Sequence, residues 1–313
     1  MKRRLLVPEV VQTSNMDCGP AALQCLLAGF GVPVSYGRLR EACQTGIDGT
    51  SINTMETVAK QLGLDAEQIL LPVDHLSMAE AEALPALVVV VLPNGLTHFV
   101  VVWRAHGRLL QVMDPAVGRR WVSRERFERE IYQHTMPAEG AEWRKFAASP
   151  EFCAALRARM REVGLGRAEQ EKRLAEAAAD ESWRGFAALD ASLRLVRLLA
   201  KRRAATRLLE RLVARPELVP DRYWSVQPDE DEEDSVWMRG AVLVRVKGKL
   251  PAGATEELNG ELKTAIEEAP LRPGRELTIA LWQSGPLAAI LMTAAMVVAA
   301  GGTIVEAMLF RGL

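Results

Sequence analysis

Apolar positions change their period three times along the chain. Residues 19–30 and 53–63 carry apolar side chains at helical spacing, the second run stopping at Gly63, whereas 87–91 (LVVVV) and 99–103 (FVVVW) are short unbroken apolar runs that predict strands buried on both faces. From about 140 to 215 the chain is rich in Ala, Arg, Glu and Leu, with Leu189, Leu193, Val196 and Ala200 at the spacing of one helix face. An acidic run, Asp229–Asp234, follows Pro228 and reads as a solvated linker. Alternation returns over 241–250 (AVLVRVKGKL), predicting a strand, and 254–269 reads as helical. No charged residue then occurs from Leu277 to Val305, and an uncharged run of that length predicts a transmembrane helix. Lys263, Arg272 and Arg275 lie before it and only Arg311 after it, which places the N-terminal side in the cytosol. The organisation expected is α+β: a mixed domain over 1–137, a helical segment over 138–228, an acidic linker over 229–236, a small α/β or linker piece over 237–276, and one transmembrane helix over 277–310.

Composition narrows the function. Charged residues make up 25% of the 313 and the formal net charge is −1, so nothing draws the chain toward nucleic acid. Four irregularly spaced cysteines without a CxxC pair argue against both a disulfide framework and a zinc site, and favour a reducing compartment. The N-terminus lacks the apolar stretch of a secretory signal.

The candidate chemistry lies in the first 137 residues. In Gln12–Leu23 (QTSNMDCGPAAL) a cysteine stands where loop gives way to helix, with Asp17 suited to cap and Pro20 tolerated in the first turn. A helix N-terminus favours thiolate over thiol, so Cys18 is a candidate nucleophile; a buried structural cysteine is the competing reading. Cys25, seven residues on along the same helix face, reads as buried. Of the four histidines, His98 has a partner: a turn centred on His106, within Ala105-His106-Gly107, sets it directly opposite Asp114 on one face of a hairpin. His106 then lies in the turn, and His75 and His134 read as surface residues. Gln12, six residues before the cysteine, offers an amide N–H to a developing oxyanion. Together these residues fit acyl transfer through a thioester.

These residues resemble the papain-like cysteine peptidase domains at the N-terminus of bacteriocin-processing ABC transporters, which cut leader peptides after a double glycine. The resemblance covers about residues 5–137 and rests on Gln12 to Leu23, Asp48-Gly49-Thr50-Ser51, Leu84-Pro85-Ala86, His98-Phe99-Val100-Val101 and Asp114-Pro115-Ala116-Val117-Gly118. It implies Cys18 as nucleophile, His98 as base, Asp114 as its orienter and Gln12 as oxyanion donor. It also implies a cysteine endopeptidase (a thiol protease and hydrolase), a leader-bearing peptide precursor as substrate, and the membrane and ATPase domains of an ABC exporter as partners in cis or in trans. No metal or cofactor is implied for the peptidase itself; ATP belongs to an ATPase domain, since the chain holds no G-x-x-x-x-G-K-[ST] loop. The lipid bilayer and a second copy of the chain are further candidate partners, and the expected location is the inner membrane with the peptidase facing the cytoplasm. A leader-docking or regulatory module that does not cleave is the alternative.

Overall fold

The computed structural model describes residues 4–46, 49–199, 202–232, 234–251, 260–268, 273–283 and 286–311. Two bodies are distinguished, Met1–Glu268 and Ala269–Leu313.

The first body opens with three helices, α1 (Cys18–Gly29), α2 (Tyr36–Ala42) and α3 (Ile52–Gln61). The Ser51 hydroxyl accepts from Thr54 N and so caps α3, while Gly63, at φ +83°, takes the left-handed turn that ends the helical run and starts β1 (Leu64–Leu71). The chain continues through β2 (Ala86–Val91), β3 (Thr97–His106), β4 (Leu109–Asp114), β5 (Gly118–Ser123), α4 (Arg124–Glu130) and β6 (Gln133–Glu139). Five helices follow: α5 (Gly140–Ala147), α6 (Pro150–Glu162), α7 (Arg167–Ala179), α8 (Arg184–Leu199) and α9 (Arg202–Ala214). A short strand, β7 (Val226–Pro228), and the long β8 (Ser235–Lys249) precede α10 (Gly260–Glu267).

The strands form one eight-stranded sheet in the order β1-β8-β2-β3-β4-β5, with β6 and β7 also on β8, and every described pairing is antiparallel. The unbroken apolar runs in β2 and β3 follow from this arrangement, because both sheet faces are covered. Val101 and Trp103 pack with Leu23, Leu26 and Leu27 of α1, whereas their neighbours Val100 and Val102 pack on the opposite face with Leu110, Val112 and Phe127. Leu262 of α10 joins the α1 side. The helices α5–α9 have a core of their own, in which Leu189, Leu193 and Val196 are buried as their spacing predicts.

The sheet does not end at residue 137. β8, from the segment expected to be a separate α/β piece or linker, inserts between β1 and β2, with Leu71 opposite Ala241 and Val88 opposite Leu243. The helical segment is thus an excursion between β6 and β8, two strands that pair with each other. Its contact with the turn after β1, Val73–His75, contains a buried charge cluster. Arg159 Nη1 lies 2.7 Å from Asp190 Oδ1 and Nη2 lies 3.1 Å from Asp74 Oδ2, while Arg194 reaches the same two carboxylates at 2.8 and 3.1 Å. Burial raises both carboxyls, but the two guanidiniums outweigh it and hold them well below the usual range. His75 belongs to this cluster. Expected on the surface, it is 2% exposed and 3.7 Å from Asp190, and burial and Arg159 push its imidazole below the ordinary value.

The second body contains α11 (Pro273–Gln283) and α12 (Pro286–Arg311). The single span expected over 277–310 is not found: the uncharged run is divided between the two helices, and among the described residues no helix is long and apolar enough to cross a membrane. Pro286 opens α12, a position at which its missing N–H costs the helix nothing. Asp48, part of Asp229–Asp234 and the start of the 254–269 helix lie outside the described residues.

Candidate active site

Cys18 is the first residue of α1, half-buried, beside His98 near the start of β3. His98 Nε2 lies 2.8 Å from Asp114 Oδ1, and the imidazole is close enough to the Cys18 sulfur for each to shift the other's protonation. The structure therefore brings Cys18, His98 and Asp114 together.

The register that produces this contact differs from the expected one. β3 runs through His106, its turn is Gly107-Arg108, and a bulge interrupts the pairing between Val102 and Arg104. On the observed register of Val101 with Met113, Asp114 falls opposite Val100, so His98 is its diagonal neighbour. A slip of two residues keeps both side chains on the same face, where diagonal pairs are still within reach of longer side chains. A slip of one would have separated them.

The electrostatics favour a charged pair. Burial pushes the Cys18 thiol up, but the hydrogen bond from His98, the N–H groups of Phe99 and Gly19, and the His98 charge together hold it below the usual thiol range. Burial pushes His98 down, yet the Asp114 carboxylate and the Cys18 sulfur raise it to about 9. Asp114 is in turn held low by His98, by Ala116 N at 3.0 Å and by the Arg120 charge, which together outweigh its burial. Cys25 and Cys43 behave oppositely, since burial alone raises both, Cys43 to about 12.

Gln12 is joined to the same loop. Its backbone N–H donates to Pro115 O at 2.9 Å, one residue beyond Asp114, and its side-chain Oε1 is buried without a partner among the described residues. Asp17 does not cap α1 with its side chain. The carboxylate instead accepts from Arg40 Nε at 2.7 Å and Thr13 Oγ1 at 2.8 Å, tying the loop before Cys18 to α2. Arg120 was not singled out by sequence. It sits on β5 opposite Val112, which puts it diagonal to Asp114, and its Nη2 approaches Asp114 Oδ2 at 3.5 Å while pairing with Glu130 at 3.0 Å. The signal available was the β4–β5 hairpin around Asp114-Pro115-Ala116-Val117-Gly118. Among the described residues no His, Cys, Asp or Glu cluster is arranged to hold a metal ion.

A cleft of about 870 Å³ lies beside the site, lined by Thr97 and Phe99 on either side of His98 in sequence, by Thr50, and by Trp143, Phe146 and Met238.

Residues 7–136 match the peptidase C39 family, and an uncharacterized protein of Methanothermobacter thermautotrophicus is 30% identical over 120 residues, which make up 38% of this chain and 80% of that protein. The chain belongs to the peptidase C39 family. Another relative, the pediocin PA-1 transport/processing ATP-binding protein PedD of Pediococcus acidilactici, is 32% identical over 124 residues; these are 39% of this chain and 17% of that much longer relative. Among solved structures, a double glycine motif protease from an AMS/PCAT transporter, crystallised in complex with the leader peptide, is 26% identical, covers 42% of this chain and 89% of its own, and has a TM-score of 0.36. The C39 match ends at residue 136, so α5–α9 and β8 lie outside it.

Proposed function

We propose that this peptidase C39 chain is a cysteine endopeptidase of papain-like architecture that removes a leader from a peptide precursor, cutting after a double glycine. The observation that carries the reading is Cys18 at the N-terminus of α1 beside His98, which pairs with Asp114 at 2.8 Å, with the thiol shifted down and the imidazole shifted up. The Cys18 thiolate attacks the scissile carbonyl and a C–S bond forms as the carbonyl π pair moves to oxygen. Gln12 offers its side-chain N–H₂ to that oxyanion, and its backbone N–H on Pro115 O ties it to the Asp114 loop. The His98 imidazolium then gives its proton to the leaving amine as the C–N bond breaks. Neutral His98 next takes a proton from water, whose hydroxide attacks the thioester and releases the leader acid and the thiolate. Asp114 keeps the ring oriented and supports its charge throughout.

Coupling to export belongs to the same proposal: the printed name of the pediocin relative joins processing to transport, and an ATPase acting in cis or in trans would supply the nucleotide chemistry. The rival is a module that binds the leader without cutting it. Incubating the purified chain with a leader peptide ending in Gly-Gly, followed by mass spectrometry, separates them. A single cut after Gly-Gly that disappears in Cys18→Ala supports the peptidase, whereas binding without a cut supports the rival.

A further inference from the structure

The cleft beside Cys18 has two sources of wall. One wall borders the nucleophile, because Thr97 and Phe99, the neighbours of His98, line the cleft, as does Thr50, which packs against Gly19, the residue after Cys18. The far wall is built from Glu142, Trp143 and Phe146 of α5 and Met238 of β8, all beyond the residues that match the peptidase family. α5 is fixed to the helical segment. Arg144 donates to Asp180 O at 3.0 Å and to Ala178 O at 2.9 Å, and Phe146 meets Phe152 of α6 edge-on with ring centroids 5.4 Å apart.

The floor of the cleft determines how a peptide is read there. β8 has β1 on one side and β2 and β6 on the other, so its backbone is already paired and offers no free edge for strand addition. What β8 presents to a peptide is its side chains. Ile69, Val242, Met238 and Phe146 favour apolar ones, and Glu142, the one carboxylate among the described lining residues, favours a basic neighbour.

We infer that this far wall, mounted on the helical segment and centred on Phe146, Met238 and Glu142, selects which peptide precursor reaches Cys18. The role assigned is specificity, and it rests on the reading of the site as a leader peptidase. It gives α5–α9 a function: they hold one side of the substrate cleft in place.

The test uses the full chain and a synthetic peptide with Leu and Ile at helical spacing and one Lys ahead of Gly-Gly. Phe146→Ala and Met238→Ala are expected to raise KM about tenfold with kcat changed by less than about twofold. On a Cys18→Ala background the peptide Kd should weaken by a similar factor. Alkylation of Cys18 by iodoacetamide, which needs no peptide, should proceed as in the unsubstituted chain and shows that the site remains folded. Glu142→Arg, at an exposed position, should reverse the preference between the Lys peptide and its Lys→Glu counterpart. Unchanged KM and Kd in both truncations, with no reversal in Glu142→Arg, would overturn the inference. Binding that weakens as stated in a chain that never cuts would sink the peptidase reading and leave the selecting wall standing. A chain that neither cuts nor binds the peptide would remove both.

Discussion

At the scale of single residues, the proposed chemistry depends on a proton sitting on His98 and not on Cys18. Cys18 lies below the usual thiol range and His98 is raised to about 9, so thiolate and imidazolium coexist between those limits. Cleavage is expected to fall on the acid side as the thiolate is protonated, and on the basic side as the imidazolium loses its proton near pH 9; a kcat/KM profile checks both limbs. Asp114→Asn retains a hydrogen-bond acceptor for Nε2 but removes the charge that helps to raise His98. It should move the basic limb to lower pH and reduce kcat with little change in KM, and a profile with its basic limb unmoved would exclude Asp114 from this role. Cys18→Ala should abolish cleavage, whereas Cys25→Ala should retain most of it, because the Cys25 thiol is buried against Pro8 O at 3.3 Å, and burial holds it protonated.

At the scale of elements, the helix start at Cys18 and the strands at 86–91 and 97–106 were legible because each leaves a local mark: a Pro and small residues just after the cysteine, and unbroken apolar runs. The partnership of His98 with Asp114 was legible for a weaker reason. Turn position and bulge both departed from the expected hairpin, and the two changes together preserved the parity that decides which face a side chain occupies. What sequence could not show was pairing over long separations. Nothing local in AVLVRVKGKL says that it lies between β1 and β2, and nothing around His75 announces that Arg159 and Asp190 lie against it. That cluster has a mechanical consequence. Asp190 is fully buried, pairs with Arg159 and Arg194, and accepts from Ser225 Oγ at 2.7 Å. Asp190→Ala should therefore lower stability by about 3–5 kcal/mol in urea unfolding, since it leaves guanidinium charge buried and unpaired. A loss under about 1 kcal/mol would mean that water reaches the cluster. Gly240→Ala acts on a neighbouring contact: its Cβ would stand 2.4 Å from the backbone oxygen of Leu71, which has little room to move, and should destabilise the chain by roughly 1–3 kcal/mol.

At the scale of the whole molecule, the position of β8 decides what counts as the smallest foldable peptidase in this chain. The family match stops at 136, which suggests a fragment of residues 1–140 as the minimal enzyme. The sheet argues otherwise. Without β8, β1 loses its only described strand partner from Leu64 to Leu71, and β2 loses the pairing of Ala86, Leu87 and Val88. Leu243, Val244 and Val246, each at most 2% exposed, would leave the two cores they join. At roughly 1.5–3 kcal/mol for each fully buried Val or Leu side chain, their loss approaches the 5–15 kcal/mol of net stability that a whole domain commonly has. Newly exposed strand edges on β1 and β2 would also invite association. Residues 1–140 are therefore expected to be aggregation-prone and to lack a cooperative unfolding transition. Residues 1–268 should unfold cooperatively and alkylate Cys18 as the full chain does. Circular dichroism melts of the two fragments, with alkylation rates measured alongside, check this directly. A cooperative 1–140 with full Cys18 reactivity would show that the site is organised by α1 and the β2–β5 strands alone, and that β8 serves the cleft wall and not the nucleophile.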